Sequence, residues 1–457
     1  MSYVETNDLF YATVFIEMEK GRLLVKSKKT LISLVSVFLL SIFALVGCSS
    51  DDDKGKDKAS GDQITIDIFQ FKVEIKDQFE ELVKVYEDEN PGVKINVKTV
   101  GGGNDYGASL KTSFSSGEEP DIFNVGGPSS VEEYREYLAD VSDTKAVEES
   151  IDGTLTAVQD GDEVLGLPFN QEGYGLIYNK AIFEEAGLNA DDIVTYADLE
   201  EAVKLLDSKK DELGIDAVFA LPAKEKWVLG DHISNMFIAS DFNDDITEAY
   251  NSKTIAFDKG DELKRYLDLQ NSHSVQPVLS LDYSQQVEQL FSLEKVAMIQ
   301  QGNWVYNSVY DMDPELAETG IGILPVPVEG FEGKIPAGVP MFWAVNSKSD
   351  EKVVQASKDF LDWVYTSETG KTAVLEDFKF IPAYKGYDAS KIADPLSQTI
   401  YEYAEAGNTL EGWVYQAAPT GWTQESLGVN IQKYLSGDLK WEEVISQSRA
   451  KWEAERK

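Results

Sequence analysis

From Ile64 onward the apolar residues of this chain change their spacing repeatedly, and that change of period restricts the fold more than any other feature. Ile64, Ile66 and Ile68 alternate with polar neighbours, as in a strand with one covered face; Phe79, Leu82, Val83 and Tyr86 then follow helical spacing. Val93, Ile95 and Val97 return to the strand period, and a glycine run at Gly101, Gly102 and Gly103 separates them from a helix predicted over 106–114. Pro120 introduces a buried strand over 121–125. Such β/α alternation belongs to α/β architectures, with helices layered on sheets. It continues through strands at 175–178, 296–299 and 342–345 and a helix closed by Gly187, a residue suited to the left-handed cap. Thr195 with Asp198 approximates a capping box before Leu199, Ala202, Val203 and Leu206, and 352–365 reads as a long amphipathic helix. The C-terminal part is mostly helical, with breaks at Gly407, Pro419 to Gly421 and Gly437. There is no internal repeat.

Charge and composition narrow the function classes. The chain carries 41 basic and 81 acidic residues, a net charge of −40. That field repels nucleic acid and anionic lipid, so neither is expected as a partner. Acids such as Glu80, Glu81, Glu87, Asp88 and Glu89 read as solvated helix faces. Cys48 is the only cysteine, and His232 and His273 are the only histidines, so no disulfide, thiol chemistry, metal or cofactor is expected. Asp241, Asn243 and Asp245 look briefly like a calcium loop, but Ile246 stands where glycine is needed and Ser252 where the closing glutamate is needed. No nucleophile-elbow, His-Glu-x-x-His or phosphate-loop signature occurs.

The N-terminal segment has the order of a secretory signal: Lys20, Arg22, Lys26, Lys28 and Lys29, then an apolar run over 31–47. As a helix its 17 residues span about 25 Å, less than the roughly 30 Å of hydrocarbon a permanent anchor must cross. Leu45, Val46, Gly47 and Cys48 close the run and resemble a bacterial lipobox. The expectation is a signal peptide over 1–47, with synthesis beginning at Met18 because Met1 to Glu17 carry acids and no base. Lipoprotein processing, which the resemblance implies, would make Cys48 the mature N-terminus and place a diacylglyceryl group on its sulfur. Two buried acyl chains give on the order of 20 kcal/mol of membrane attachment. Residues 48–62 then form the lipidated cysteine and a charged tether reaching about 45 to 50 Å. The remaining residues, about 410, suit two lobes with separate cores.

Several ordered motifs resemble the extracellular solute-binding proteins of bacterial ABC importers, in the carbohydrate-binding group that includes maltodextrin-binding proteins. They are Pro120-Asp121-Ile122-Phe123; Gly166-Leu167-Pro168 leading to Tyr174-Gly175-Leu176-Ile177-Tyr178-Asn179-Lys180; Val296-Ala297-Met298 then Gly302-Asn303-Trp304; and Gly322-Ile323-Leu324-Pro325-Val326-Pro327. The resemblance implies a two-lobed periplasmic-binding-protein-like fold of type II, with a hinge and an interlobe cleft. By it, crossings between lobes fall near 169–173, 327–333 and 380–385, so that lobe I is 63–169 plus 327–380 and lobe II 170–326 plus 381–457. It implies a monomer that is not an enzyme, held at the extracellular face of the membrane by its lipid, passing a sugar to permease subunits.

Sugars offer flat C–H faces ringed by hydroxyls, so their sites need aromatic platforms together with carboxylates or amides. Trp227, Trp304, Trp343, Trp413 and Trp422 lie in or beside predicted turns. By the resemblance, Trp304 stacks on sugar, Trp422 matches a late-helix tryptophan, and Trp227, beside Glu225, matches an aromatic position of the second lobe. Glu172 lies at the first crossing, and Gln70, Phe71, Lys72 and Asn124 lie at strand ends, which line clefts in α/β folds. The expected ligand set is therefore Trp304, Glu172, Trp422, Trp227, Asn124, Phe71, Lys72, Gln70, Trp343 and Glu225. Phe71 and Lys72 stand where maltodextrin binders have an acid pair. Arginine is absent from these segments, which favours a neutral sugar over an anion. Two other classes stay open at this point: a binder of another solute such as a polyamine, and a cell-surface glycosidase.

Overall fold

The computed structural model describes residues 63–101 and 106–456; the leader, Cys48 and the tether lie outside them. Two buried hydrophobic clusters divide the described chain, one built on Ile66, Phe79, Phe123 and Trp343, the other on Tyr174, Phe219, Met298 and Trp422. They are the cores of two α/β lobes.

Lobe I has a five-stranded sheet in which Ile64–Gln70 lies between Val93–Thr99 and Ile122–Val125, parallel to both. Parallel neighbours need crossover connections, and Lys76–Glu89 and Tyr106–Ser116 supply them. The helix Lys76–Glu89 buries Phe79, Leu82, Val83 and Tyr86, the residues whose spacing predicts it. Phe342–Val345 joins the sheet antiparallel to Ile122–Val125, because it enters from the other lobe.

In lobe II, Glu172–Asn179 is central, with Val296–Gly302 on one side and Ile321–Leu324 and Ile335–Gly338 in succession on the other. Its helix Tyr196–Leu213 starts on the capping box: Asp198 N donates to Thr195 Oγ1 at 3.3 Å and Thr195 N donates to Asp198 Oδ2 at 2.8 Å. Such a cap contributes about 1 kcal/mol.

The chain crosses between lobes three times, and two of the crossings differ from expectation. The first runs through Asn170 and Gln171, between Phe169 of the lobe I core and Tyr174 of the lobe II core. The second falls after Gly338 rather than within 327–333, because Ile335–Gly338 pairs with Glu172–Asn179 and Thr409–Glu411 and so belongs to the lobe II sheet. The third starts within 380–385, where Ile381 packs on the lobe II core, but is completed only beyond it. Tyr384 stacks on Tyr365 at 4.4 Å and Tyr387 donates to the Tyr365 carbonyl, which brings the chain back against lobe I before Leu396 enters the lobe II core. Gln171 bridges Ile381, so the first and third crossings run side by side.

Candidate functional site

The parallel strands of lobe I end together at one edge, and the turns that follow form its side of the cleft. Gln70 is fully buried and braces the turn: its Oε1 accepts from Lys72 N at 2.6 Å, and its Nε2 donates to Lys72 O at 3.0 Å and Thr99 Oγ1 at 2.7 Å. Its polar atoms are thus committed to shape. The brace aims Lys72 across the cleft at Glu172, the first residue of the central lobe II strand, and the two side chains form a buried ion pair. The Lys72 ammonium also lies over the rings of Phe71 and Phe380, 5.3 and 5.8 Å from their centroids. Asn124 Oδ1 accepts from Phe71 N at 3.3 Å, while its Nδ2 is buried with no partner in the protein. Glu74, one turn on, has its carboxyl pushed above the usual range, first by burial and also by the nearby Glu172, with Lys72 acting in the opposite sense.

Lobe II presents rings. His232 is stacked on Tyr174 at 4.7 Å, with Trp304 at 4.9 Å, Trp227 at 5.2 Å and Trp413 at 5.4 Å. Burial, reinforced by the Lys72 charge, pushes its imidazole down to about 3, so at neutral pH it is an uncharged flat ring. The Trp304 indole folds back onto Gly302, two residues earlier, where a Cβ would stand 2.1 Å from the ring and 2.4 Å from the Gly173 carbonyl, so only glycine leaves room for it. Glu225 accepts from Trp227 Nε1 at 3.1 Å and from Tyr283 N at 3.2 Å, so it orients the Trp227 ring with both oxygens engaged. Asn170 donates to Glu172 Oε1 at 3.2 Å and leaves its own Oδ1 without a partner; Trp413 Nε1 is likewise buried and unpartnered.

Of the expected residues, the structure brings Phe71, Lys72, Asn124, Glu172, Trp227 and Trp304 together, with Gln70 and Glu225 bracing them. It does not bring Trp343 and Trp422. Trp343 lies against Phe79 at 5.6 Å in the lobe I core and donates its indole N–H to Tyr365 Oη at 2.7 Å. Trp422 meets Trp452 at 4.9 Å in the lobe II core and donates to Ser448 O at 2.7 Å. Each has its ring covered and its one donor satisfied internally. His232, Trp413 and Asn170 join the cleft without being in the expected set. Trp413 shares the turn-side position of the others; nothing in the spacing marks His232 or Asn170.

The cleft is shut. The cavity lined by Lys72, Glu74, Glu172, Asn303, Trp304 and Lys379 holds about 10 Å³, far below the roughly 300 Å³ at which ligand pockets begin. A larger cavity, about 360 Å³, lies elsewhere on lobe II among Tyr196, Arg265, Pro327 and Glu332, with the Arg265 guanidinium 3.9 Å from the Tyr196 ring centroid; none of the cleft residues lines it.

Two α/β lobes with a hinged cleft define a type II periplasmic-binding-protein-like fold, and comparison with known structures agrees. A chitin oligosaccharide binding protein is 22% identical with a TM-score of 0.74, covering 87% of this chain and 100% of that one. The solute-binding protein RafE in complex with raffinose is 20% identical with a TM-score of 0.69, covering 86% and 100%. A sugar transporter from Bacillus licheniformis in complex with stachyose is 20% identical with a TM-score of 0.68, covering 86% and 100%. Among curated proteins, the multiple sugar-binding protein of Streptococcus mutans is 23% identical over 355 residues, 74% of this chain and 78% of that protein. The family model for bacterial extracellular solute-binding proteins matches residues 72–371, and this chain belongs to that family.

Proposed function

We propose that this protein captures a neutral sugar or oligosaccharide between its lobes and delivers it to the permease of an ABC importer, anchored to the outer face of the membrane through lipid on Cys48. The observation that carries the reading is the pairing of opposed chemistries across the cleft. Trp304, Trp227 and Trp413 with Tyr174 and His232 offer flat apolar faces, and Lys72, Glu172, Asn124 and Asn170 offer donors and acceptors, some of them unpartnered. A carbohydrate needs both at once. The names of the relatives and neighbours, which bind raffinose, stachyose, chitin oligosaccharide or multiple sugars, support the same class.

The work is binding without bond cleavage. Glu172 is held by Lys72 and Asn170 and Glu225 by Trp227 and Tyr283, which suits fixed acceptors better than an acid and base exchanging protons with substrate. Thermal-shift screening against mono-, di- and trisaccharides, raffinose, stachyose and chitin oligosaccharides tests the proposal, because a ligand selective for the native state raises stability by mass action. At least one sugar is expected to raise the melting temperature saturably and to be recovered unchanged. Stabilisation by spermidine and by no sugar would contradict it.

A further inference from the structure

We infer that Gln286 and Gln301 form a buried relay that fixes the orientation of the Trp304 indole, making them positioning residues for the platform. The inference rests on the reading of Trp304 as the sugar-stacking ring. Trp304 Nε1 donates to Gln301 Oε1 at 2.9 Å, Gln301 Nε2 donates to Gln286 Oε1 at 2.7 Å, and Gln286 Nε2 donates to the Ala220 carbonyl at 2.8 Å. Both glutamines are almost wholly buried, and neither lines the cleft cavity.

The two ends of this chain admit one arrangement. A carbonyl oxygen only accepts and an indole N–H only donates. Ala220 O therefore takes the Gln286 amide NH₂, which turns Gln286 Oε1 toward Gln301. Gln301 must then present its own NH₂ there and its Oε1 to Trp304. Reversing either amide opposes donor to donor or acceptor to acceptor in a dry interior, where no water replaces the lost bond. The ring is fixed from the other side by Gly302, whose missing side chain lets it lie on the strand. Strand backbone thus sets where the indole lies, and the relay sets how its edge is turned. Gln286 sits on the helical segment Gln285–Phe291 and Ala220 follows the strand Ala217–Phe219, so the platform is tied to two neighbouring elements of its lobe.

The test uses protein labelled with 5-fluorotryptophan and observed by fluorine NMR, the Trp304 resonance being assigned with Trp304→Phe. Gln286→Leu removes both of its relay bonds and frees the Gln301 amide to turn. The Trp304 resonance is expected to shift and broaden while those of Trp343 and Trp452 stay put. The dissociation constant for whichever screened sugar stabilises the wild type should rise about threefold to tenfold. If Gln286→Leu does not fold, Gln286→Met, unbranched and of similar length, gives the same reading. Gln286→Glu in its neutral form, observed at about pH 4 to 5, donates its hydroxyl to Ala220 O and keeps an acceptor for Gln301, and there it is expected to restore the wild-type resonance. A Trp304 signal unchanged in the apolar variant, or equally perturbed in Gln286→Glu, overturns the relay. A wild type that binds no sugar, with Trp304 still responding to Gln286→Leu, removes the sugar reading and leaves the relay standing.

Discussion

Lobe I meets the cleft with the turns after its parallel strands, and what it offers there is polar and braced by hydrogen bonds: Lys72 held by Gln70, and Asn124 tied to Phe71. Lobe II meets it with stacked rings, Tyr174, His232, Trp227, Trp304 and Trp413. Apolar faces attract without demanding direction, whereas hydrogen bonds are strict about it. Under the proposed function, a sugar settles on the lobe II wall while the lobes are apart, and lobe I then reads its hydroxyls as it closes. Six of the eight tryptophans belong to lobe II, which sets Trp227, Trp304 and Trp413 at the cleft; lobe I has only Trp343, in its core, and Trp363 packed against that core.

That difference is open to attack at several points. The largest effect is expected from Trp343→Ala, which should cost about 3 to 5 kcal/mol of stability in urea unfolding while the folded protein keeps its sugar affinity within about twofold. A large affinity loss with little change in stability would move Trp343 to the cleft.

Next comes His232 in the wall. Its folded pKa of about 3 is depressed below the roughly 6.5 of an unfolded histidine. Between these values the unfolded chain binds a proton that the folded one does not. Stability is therefore full above pH 6.5 and falls as pH drops toward 3, with a slope approaching about 1.4 kcal/mol per pH unit from this group. His232→Phe should lose that part of the slope, measured as the difference between the two proteins in denaturant titrations from pH 7 to 4. Parallel curves would mean that the imidazole is solvated.

Trp304→Ala should weaken sugar binding more than tenfold, about 1.4 kcal/mol, in a protein that still folds but with lowered stability, because the ring packs in the lobe II core and its loss unpairs Gln301 Oε1; unchanged affinity would take the ring out of the site. Lys72→Met should have the smallest effect on affinity, about twofold to threefold, but a conformational one. Removing the ammonium leaves Glu172 charged and buried in the shut state, which parting of the lobes relieves. Small-angle scattering should show a larger radius of gyration for the variant without sugar and recovery on adding it. A variant as compact as the wild type would show that the pair does not hold the lobes together.

The alternation of periods made the sheets and their helices legible, because each buried face imposes its own spacing: the long helix read over 352–365 is Glu351–Thr366, and the strand read at 296–299 is part of Val296–Gly302. The crossings were less so. Ile335–Gly338 is short and contains Pro336 and Gly338, residues that mark turns, and only its pairing with Glu172 and Gly173 shows it to be a lobe II strand. Turn-side position marked tryptophans in general but not which way they face. Phe342–Val345 is buried on both sides, so its period carries no direction, and Trp343 turns inward. Trp422 lies beside Gly421, a left-handed turn with φ 72°, yet folds back into the core. His232 gains its place through Tyr174, Trp304 and Trp413, partners distant in sequence that no local pattern records, while Asn170 bonds to its neighbours Gln171 and Glu172 and reaches the cleft because the crossing carries all three there.

A crystal structure with the sugar that most stabilises the protein tests most directly whether the two faces act together. A sugar ring lying within about 4 Å of the Trp304 indole, its hydroxyls bonded to Glu172, Lys72 or Asn124, is the predicted result. The same sugar bound in the outer cavity beside Tyr196 and Arg265, with the interlobe cleft still shut on itself, would contradict it.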